Sequence, residues 1–217
     1  RFAPQAWAVV LTALLVAAFV SLGWWQIGRA TEKRAMTESF EHGARTSVAL
    51  AGAVTDELPR YQHVSAEGRY EPARQILLDN MPSSTGQPGY RVLTPLRRVG
   101  AASTLLVDRG WVPLGATRQQ LPVVAVDASP RTVAGRLDRL PVPGLRVGNA
   151  QAPGDSDWPR VLNFPTRADV EAVLGGPVES RILLLDASSP DGYQRNWRLS
   201  VGFPPERHLG YAIQWFA

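Results

Sequence analysis

The sequence predicts a membrane-anchored protein of mainly β structure with some α, and three observations predict this fold class. Residues 2–28 contain no charged side chain, the middle of the chain consists of short apolar segments separated by turn residues, and the last residues are apolar and aromatic. The 217 residues suffice for one domain with a core in addition to a membrane segment. We therefore expect an N-terminal transmembrane helix, a β-rich extramembrane domain and the start of a second transmembrane helix.

The uncharged run 2–28 is long enough to cross a bilayer, since about 20 apolar residues span a hydrocarbon layer of about 30 Å. Trp7 near one end and Trp24 and Trp25 near the other resemble interfacial aromatic belts. A secretory signal peptide is the alternative, but its apolar core is about 7–15 residues long and precedes a small-residue cleavage site. The longer run, ending in two tryptophans, favours a retained membrane helix.

Residues 29–42 mix both charge signs at helical spacing, which predicts that the helix continues out of the membrane. Segment 1–42 is thus the predicted helix with its polar extension, and the first residue, Arg rather than Met, indicates an incomplete N-terminus. Arg29, Lys33 and Arg34 follow the uncharged run, whereas only Arg1 precedes it. By the positive-inside rule alone, the residues after the helix would be cytoplasmic.

Residues 43–205 have the pattern of a β-rich domain, in which strand-length apolar segments alternate with clusters of Gly, Pro, Asn and Asp. This spacing favours an antiparallel sheet, a sandwich or a barrel over βαβ units. The predicted strands are 75–79, 90–96, 104–108, 132–137 and 181–186.

One short helix is expected within this domain. Thr166 can cap its start, Asp169 occupies the favourable third position, and Gly175 and Gly176 end it after Leu174. The segment 141–160, rich in Pro, Gly, Asn and Asp, is predicted to be a long loop.

The C-terminal segment 206–217 follows two prolines, opens with charged residues and becomes apolar and aromatic. Such a segment resembles the first turns of a membrane helix, here truncated. The alternative is an apolar C-terminal strand.

Composition excludes several classes of function. The chain has no cysteine, so disulfides, thiolate metal sites and covalent heme attachment through C-x-x-C-H are absent. The net charge of +4 comes from scattered arginines without a basic run, which argues against nucleic-acid binding. No G-x-S-x-G, H-E-x-x-H, P-loop or GxGxxG motif occurs, and carboxylates such as Asp155, Asp157 and Asp186 form no evident pair. We therefore expect a protein that is not an enzyme.

Three histidines are the candidate nitrogen ligands. His42 falls in the polar extension and His63 at a strand start, where surface or packed roles are common. His208 lies at the predicted membrane boundary, after Arg207, and shares a helix face with Tyr211 and Trp215. An imidazole with aromatic neighbours and a guanidinium suits an axial heme ligand with a partner for the propionates. The alternative is an interfacial histidine without a ligand.

The segment from Asp108 to Trp111 is interpreted as a tight turn that ends a strand, with a packed tryptophan. Gly110 is expected to adopt a conformation, or to allow a close backbone approach, that a Cβ atom would hinder. Trp158 and Trp197 are expected to be core or anchor residues.

Five ordered motifs resemble those of the surfeit locus protein 1 family. Leu22-Gly23-Trp24-Trp25-Gln26 with Arg29 and Lys33 is similar to its L-G-x-W-Q-x-x-R-x-x-x-K signature, and residues 107–113 to its V-N-R-G-W-V-P motif, with Asp108 where Asn is usual. The other matches are Gly68-Arg69-Tyr70, the block Asp79-Asn80 with Gly89-Tyr90 and Thr94-Pro95-Leu96, and the closing motif 208–216. The resemblance covers positions 22 to 216.

The resemblance implies a membrane hairpin in a bacterial plasma (inner) membrane, or a mitochondrial inner membrane. Both termini would lie on the cytoplasmic or matrix side and the β domain on the periplasmic or intermembrane side, opposite to the local charge bias. It implies a chaperone-like assembly factor of the respiratory chain, which binds heme a and assists its insertion into heme-copper cytochrome c oxidase. Its partners would be oxidase subunits, above all the heme-bearing catalytic subunit, the heme a synthesis machinery and membrane lipid.

By motif position, the heme histidine of the family falls on His208, which would be the axial ligand of the heme iron. Arg207 or Arg29 would lie near the propionates, and the apolar walls would be Trp25, Tyr211 and Trp215. The alternative function is a structural adaptor or accessory subunit that docks on the oxidase without binding heme.

Overall fold

The computed structural model describes residues 4–43, 46–52, 55–118, 120–143, 158–197 and 203–217. The chain divides into two compact units, one formed by Arg1–Glu41 with Leu199–Ala217 and the other by His42–Arg198. The elements, in chain order, are α1 (Ala6–His42), β1 (Ser47–Ala49), β2 (His63–Tyr70), β3 (Ile76–Leu78), β4 (Gly89–Arg98), β5 (Thr104–Pro113), β6 (Arg131–Asp138), β7 (Arg160–Leu162), α2 (Arg167–Leu174), β8 (Val178–Leu185) and α3 (Pro205–Phe216).

The helix α1 is continuous over 37 residues and combines the apolar run with its polar extension, as the sequence predicts. Among the described residues, it is the one helix that is long and apolar enough to cross a membrane. Its large apolar side chains are mostly exposed; Trp7, Leu14 and Trp24 each expose close to two thirds of their surface. A helix that is apolar on all sides and uncovered by protein has the character of a membrane span.

The helix α3 excludes the alternative of a C-terminal strand. Pro205 occupies its first turn, where the missing N–H costs nothing, and Glu206 places a negative charge at the positive end of the helix dipole. Its 12 residues are fewer than the approximately 20 that a bilayer span requires.

The two helices α1 and α3 pack in antiparallel orientation. His208 contacts Gln26, whereas Trp215, later on α3, contacts Phe19, earlier on α1, at 5.6 Å between ring centroids. The Phe216 ring lies so close to Gly23 that a Cβ atom there would overlap it. Gly23 therefore permits the close approach, as small residues do between membrane helices.

The second unit is a barrel-like β domain built from one eight-stranded sheet in the order β1-β2-β6-β8-β5-β4-β3-β7. An additional pairing of β2 with β4 joins Gly68 to Arg98 and Tyr70 to Leu96. This pairing closes a ring of five strands, β2-β6-β8-β5-β4, which resembles the small, partly open Greek-key barrels. The prediction of a β-rich, barrel-like domain is confirmed.

Three strand pairs, β1–β2, β3–β7 and β5–β8, are parallel, whereas the sequence pattern predicted an antiparallel sheet, a sandwich or a barrel. Parallel neighbours need long connections, and β6, β7 and α2 all lie between β5 and β8. Clusters of turn residues in the sequence predict only short connections between strands, so they do not indicate which distant strands pair in parallel.

Apolar side chains on alternate positions fill the ring, with Val64, Leu96, Leu105, Leu137 and Leu183 all fully buried. A second cluster on the outer face of the sheet is covered by α2 through Val170 and Leu174. Trp158 and Trp197 pack against that cluster, which confirms their expected role.

The capping of α2 agrees with the prediction in every detail. The Thr166 hydroxyl accepts from the Asp169 N–H, the Asp169 carboxylate accepts from the Thr166 N–H, and Gly175 closes the helix with a φ of 67°. In the predicted loop 141–160, residues 144–157, including Asp155 and Asp157, lie outside the described residues.

The prediction of a tight turn at Arg109–Trp111 is wrong, because β5 runs through these residues without ending. The pairing with β4 steps from Arg91–Trp111 to Leu93–Asp108, so β5 contains one extra residue, a β-bulge. Gly110, in the bulge, has a φ of 109°, and a Cβ atom there would lie 2.8 Å from the Gln194 carbonyl oxygen. The prediction that a Cβ is hindered at Gly110 is therefore confirmed.

Candidate functional site

The imidazole of His208 is held by a glutamine of the opposite helix. Its Nδ1 lies 2.7 Å from Gln26 Oε1, and both side chains are partly buried. A carboxamide oxygen only accepts, so Nδ1 donates and the neutral ring has its free lone pair on Nε2. A hydrogen bond to one ring nitrogen is what fixes the tautomer and orientation of histidines that bind metals.

Phe203, just before α3, contacts both of the neighbouring candidates. Its ring meets His208 edge to face, with 6.3 Å between centroids, and the Arg207 guanidinium carbon lies 4.9 Å from the Phe203 centroid. The cation–π contact places the Arg207 charge beside the imidazole.

Arg29 has a different environment from Arg207. Its Nη1 lies 2.7 Å from Glu32 Oε2, three residues further along α1, and both side chains are about half exposed. An exposed pair of this kind contributes little to stability, so it costs little to exchange. Arg29 is therefore able to pair with another carboxylate.

The predicted aromatic walls differ in position. Trp25 and Tyr211 are exposed by 57% and 40%, whereas Trp215 packs against Phe19 between the two helices. Trp215 is about two helical turns from His208 and belongs to the helix–helix contact.

Helical geometry places four predicted residues on one side of the helix pair. At about 100° per residue, Trp25 lies about 100° and Arg29 about 60° around α1 from Gln26, both in the same direction of rotation. On α3, Arg207 and Tyr211 lie about 100° and 60° from His208, again in that direction. Because α1 and α3 are antiparallel, residues that are rotated in the same direction from the contact between the helices lie on the same side of the helix pair. We call this side, defined by Trp25, Arg29, Arg207 and Tyr211, the His208 flank.

The opposite side of the helix pair contains Trp24 and Phe216, whose rings meet edge to face at 6.3 Å. The contact agrees with the rotation that separates these residues from the His208 flank. Both sides expose aromatic rings, and Arg29 and Arg207 distinguish the His208 flank from the side with Trp24 and Phe216.

Two residues of this site were missed at the level of sequence. Gln26 was noticed only within a motif, and its single signal is a polar side chain in the last turn of an uncharged run. Phe203 has no signal, because its contact with His208 depends on how the chain enters α3.

Comparison with known proteins identifies the family. The model of the SURF1 family matches residues 13–217. The chain belongs to the SURF1 family. This is the surfeit locus protein 1 family that its motifs resemble, a membrane-associated family known as cytochrome oxidase assembly factors.

Named relatives agree with this membership. A SURF1-like protein of Rickettsia conorii is 29% identical over 209 residues, which are 91% of this chain and 80% of that protein. SURF1-like proteins of Rickettsia felis and Rickettsia bellii are 32% and 31% identical over 93 residues. Those two matches span 42% of this chain and 40% and 38% of the respective proteins.

Most of the SURF1 motif at 107–113 is buried in β5, with Trp111 partly buried and Pro113 exposed. Asp108 is fully buried, accepts from the Gly110 N–H at 3.0 Å and forms an ion pair with Arg91. Burial raises the pKa of the Asp108 carboxyl, and the Arg91 charge and the Gly110 hydrogen bond oppose this rise. The aspartate at the usual asparagine position is thus matched by a neighbouring cation.

Arg109, next in this motif, is also buried, with 2% of its surface exposed. Its guanidinium donates to the side-chain oxygen of Gln75 at 2.9 Å and to the backbone oxygens of Val124, Ala125 and Asp191 at 3.1, 3.1 and 2.7 Å. Arg109 therefore joins three connecting segments to the barrel.

The remaining histidines are separate from this site. His63 Nε2 lies 2.7 Å from Asp186 Oδ2, which satisfies the ring within the β domain. Among the described residues, no group of three or more His, Cys, Asp or Glu side chains is placed to hold a bare metal ion. A porphyrin supplies four equatorial nitrogens itself, so a heme needs only one or two protein ligands, and a single oriented imidazole fits that need.

Proposed function

We propose that this chain is an assembly factor for heme-copper cytochrome c oxidase that binds heme a through His208 and assists its insertion into the catalytic subunit. The observation that supports this proposal is the hydrogen bond between His208 Nδ1 and Gln26 Oε1, which leaves Nε2 as a ligand atom. Heme a is the cargo of this protein, and no chemical conversion of it is proposed.

Each residue of the His208 flank has a role in holding such a cargo. Gln26 orients the imidazole, and the guanidinium of Arg207, with Arg29 beside it on α1, matches the carboxylates of the propionates. The exposed rings of Trp25 and Tyr211 offer apolar area to the macrocycle. A half-exposed site with one protein ligand binds reversibly, which suits transfer to another protein.

The location of the protein follows from the same proposal. The helix α1 anchors the chain in a bacterial plasma (inner) membrane or a mitochondrial inner membrane, with the β domain on the periplasmic or intermembrane side. There it meets the oxidase subunits and the heme a synthesis machinery.

This topology gives the first prediction. Gly86 lies in a turn that is closed by a hydrogen bond from its N–H to the Ser83 carbonyl oxygen. A reporter inserted there is expected to indicate a periplasmic or intermembrane location. Alkaline phosphatase and green fluorescent protein inserted at this site give opposite signals in the two compartments. A cytoplasmic signal would reverse the orientation and would agree with the charges of Arg29, Lys33 and Arg34.

The heme proposal is tested directly by the absorption spectrum of the full chain purified from cells that make heme a. We expect a Soret band and α band of bound heme a that co-purify with the protein. A protein free of heme a after gentle purification would contradict the proposal.

The second prediction concerns Gln26. Gln26→Leu removes the acceptor of the His208 N–H, and loss of such a partner typically costs about 10–100-fold in affinity. We expect heme a to bind correspondingly more weakly, with a shifted Soret band, because the imidazole is retained but no longer oriented. Titration of the purified protein with heme measures the affinity.

Gln87→Leu is the control for this prediction, since Gln87 is an exposed glutamine of the β domain and lies outside the unit formed by α1 and α3. It should bind heme a like the wild type. If Gln26→Leu also binds like the wild type, the orienting role of Gln26 is wrong.

A further inference from the structure

One end of the β barrel contains two arginines that face each other without a carboxylate partner in the described part of the chain. The pairing of β6 with β8 places Leu137 opposite Leu183 and Asp138 opposite Ile182. Continued by one residue, this register places Arg139 opposite Arg181. Like charges directly opposite on neighbouring strands are destabilising.

Both arginines lie where the regular pairing of their strands stops. Arg139 directly follows Asp138, the last residue of β6, and Arg181 lies in the part of β8, between Val178 and Ile182, where the pairing with β5 is irregular. The 3₁₀ helix Thr55–Glu57 lies beside β8 here, and Leu58 packs against the core.

Arg181 is incompletely satisfied at this position. Its Nε and Nη1 atoms are buried and have no hydrogen-bond partner within the described ranges. Burial lowers the pKa of Arg181, and the neighbouring guanidiniums of Arg139 and Arg60 lower it further, against the opposite effect of the aspartates Asp56 and Asp138. A buried donor without a partner costs free energy comparable to a lost hydrogen bond.

The two aspartates near Arg181 are already bound to other groups. Asp56 accepts from the Ser180 hydroxyl, and Asp138 Oδ1 accepts from Arg60 Nε and from the Arg139 N–H, both at 2.7 Å. Three arginines and two aspartates therefore lie close together here, and both aspartates already accept hydrogen bonds from other groups. Arg139 is exposed to solvent. Native proteins tend to break such local rules at functional sites, and a bound anion would offset the excess positive charge here.

We propose that Arg139 and Arg181 form an oxyanion site at this end of the barrel, which takes a phosphate group. A phosphate presents enough acceptor oxygens for two guanidinium forks and a charge that offsets two arginines, whereas a single carboxylate offers one pair of oxygens. The group is supplied either by the head group of an anionic phospholipid or by a free phosphate compound. This site is independent of the heme proposal, because it lies in the β domain and shares no residue with the His208 flank.

The test uses the full chain in dodecyl maltoside micelles, whose head group contains no phosphate. Inorganic phosphate, compared with chloride at equal ionic strength, is expected to raise the thermal midpoint of the β domain in a saturable manner. Arg181→Gln and Arg139→Gln should each weaken the apparent affinity by about tenfold or more, since a charge-assisted hydrogen bond is lost. Arg97→Gln, which removes the same charge from an exposed arginine paired with Glu71, should respond like the wild type.

The source of the phosphate is distinguished by mixed micelles that contain phosphatidylglycerol. If the lipid stabilises the wild type but neither site variant, and inorganic phosphate has no effect, the site binds a lipid head group. Stabilisation by inorganic phosphate alone assigns it to a free phosphate compound.

The proposal is overturned if neither form of phosphate stabilises the wild type beyond chloride. An acidic peptide that stabilises it where phosphate does not would also overturn it, in favour of a protein-binding surface. Arg139→Gln is exposed and should fold even where Arg181→Gln does not, and a wild-type response of Arg139→Gln contradicts the site.

Discussion

Gly110→Glu is expected to lower the free energy of unfolding of the β domain by about 3 kcal/mol or more. Two physical effects add. The φ of 109° is unfavourable for any residue with a Cβ atom, and that atom would lie 2.8 Å from the Gln194 carbonyl oxygen and 2.7 Å from Arg195 Cγ. The glutamate also places a charge where β5 is joined to the Gln194 segment. Denaturant unfolding followed by circular dichroism measures the loss.

Two further variants separate these effects. Gly110→Ala keeps the backbone strain and the close contact but adds no charge, so most of the loss should remain. Gly176→Glu introduces the same side chain where nothing lies within 4 Å of a Cβ atom and φ is not in the left-handed range. It should change stability by about 0.5 kcal/mol or less. An unchanged midpoint for Gly110→Glu would mean that the bulge tolerates a side chain.

His208→Ala is expected to reduce heme a binding by more than about tenfold, since the loss of an outer partner alone typically costs 10–100-fold and here the ligand itself is removed. The β domain should remain folded, because His208 belongs to the unit formed by α1 and α3. Heme occupancy from the absorption spectrum should therefore fall while the protein yield and the circular dichroism stay the same.

His42→Ala is the control, since it removes an imidazole from the polar end of α1 and should leave heme binding intact. A variant at His208 with full heme a occupancy and an unshifted Soret band would show that the ligand assignment is wrong. If oxidase assembly also continued normally in that variant, an adaptor that docks on the oxidase without heme would become the better account.

The elements that depend on neighbouring residues were predicted from the sequence alone. The α2 helix is an example: its capping box and its C-terminal glycine operate within a few residues, so Thr166, Asp169 and Gly175 specify both ends. The long helix α1 follows in the same way from an uncharged run and the helical spacing of charges after it. Membership of the SURF1 family and the candidate His208 likewise followed from short motifs.

The interpretation of the Asp108–Trp111 segment failed for a reason that is also physical. A glycine between charged and aromatic residues is compatible with a turn and with a bulged strand, and local propensity does not separate them. Pairing with β4 on one side, and with β8 up to Asp108 and Gln194 at Trp111 on the other, produces a continuous strand in which Asp108 and Arg109 are buried.

Only the tertiary structure decided the features that join distant parts of the chain. The closure of the ring by β2 and β4 and the parallel pairing of β5 with β8 depend on connections whose length no local signal records. The contact of His208 with Gln26 joins residues 182 positions apart, and the apposition of Arg139 and Arg181 depends on the register of β6 and β8. Helices and their caps can be predicted from the sequence, because the hydrogen bonds and charges that stabilise them involve residues close to each other in the chain. The residues that contact a candidate ligand such as His208 cannot, because they come from distant parts of the chain and are brought together only by tertiary packing.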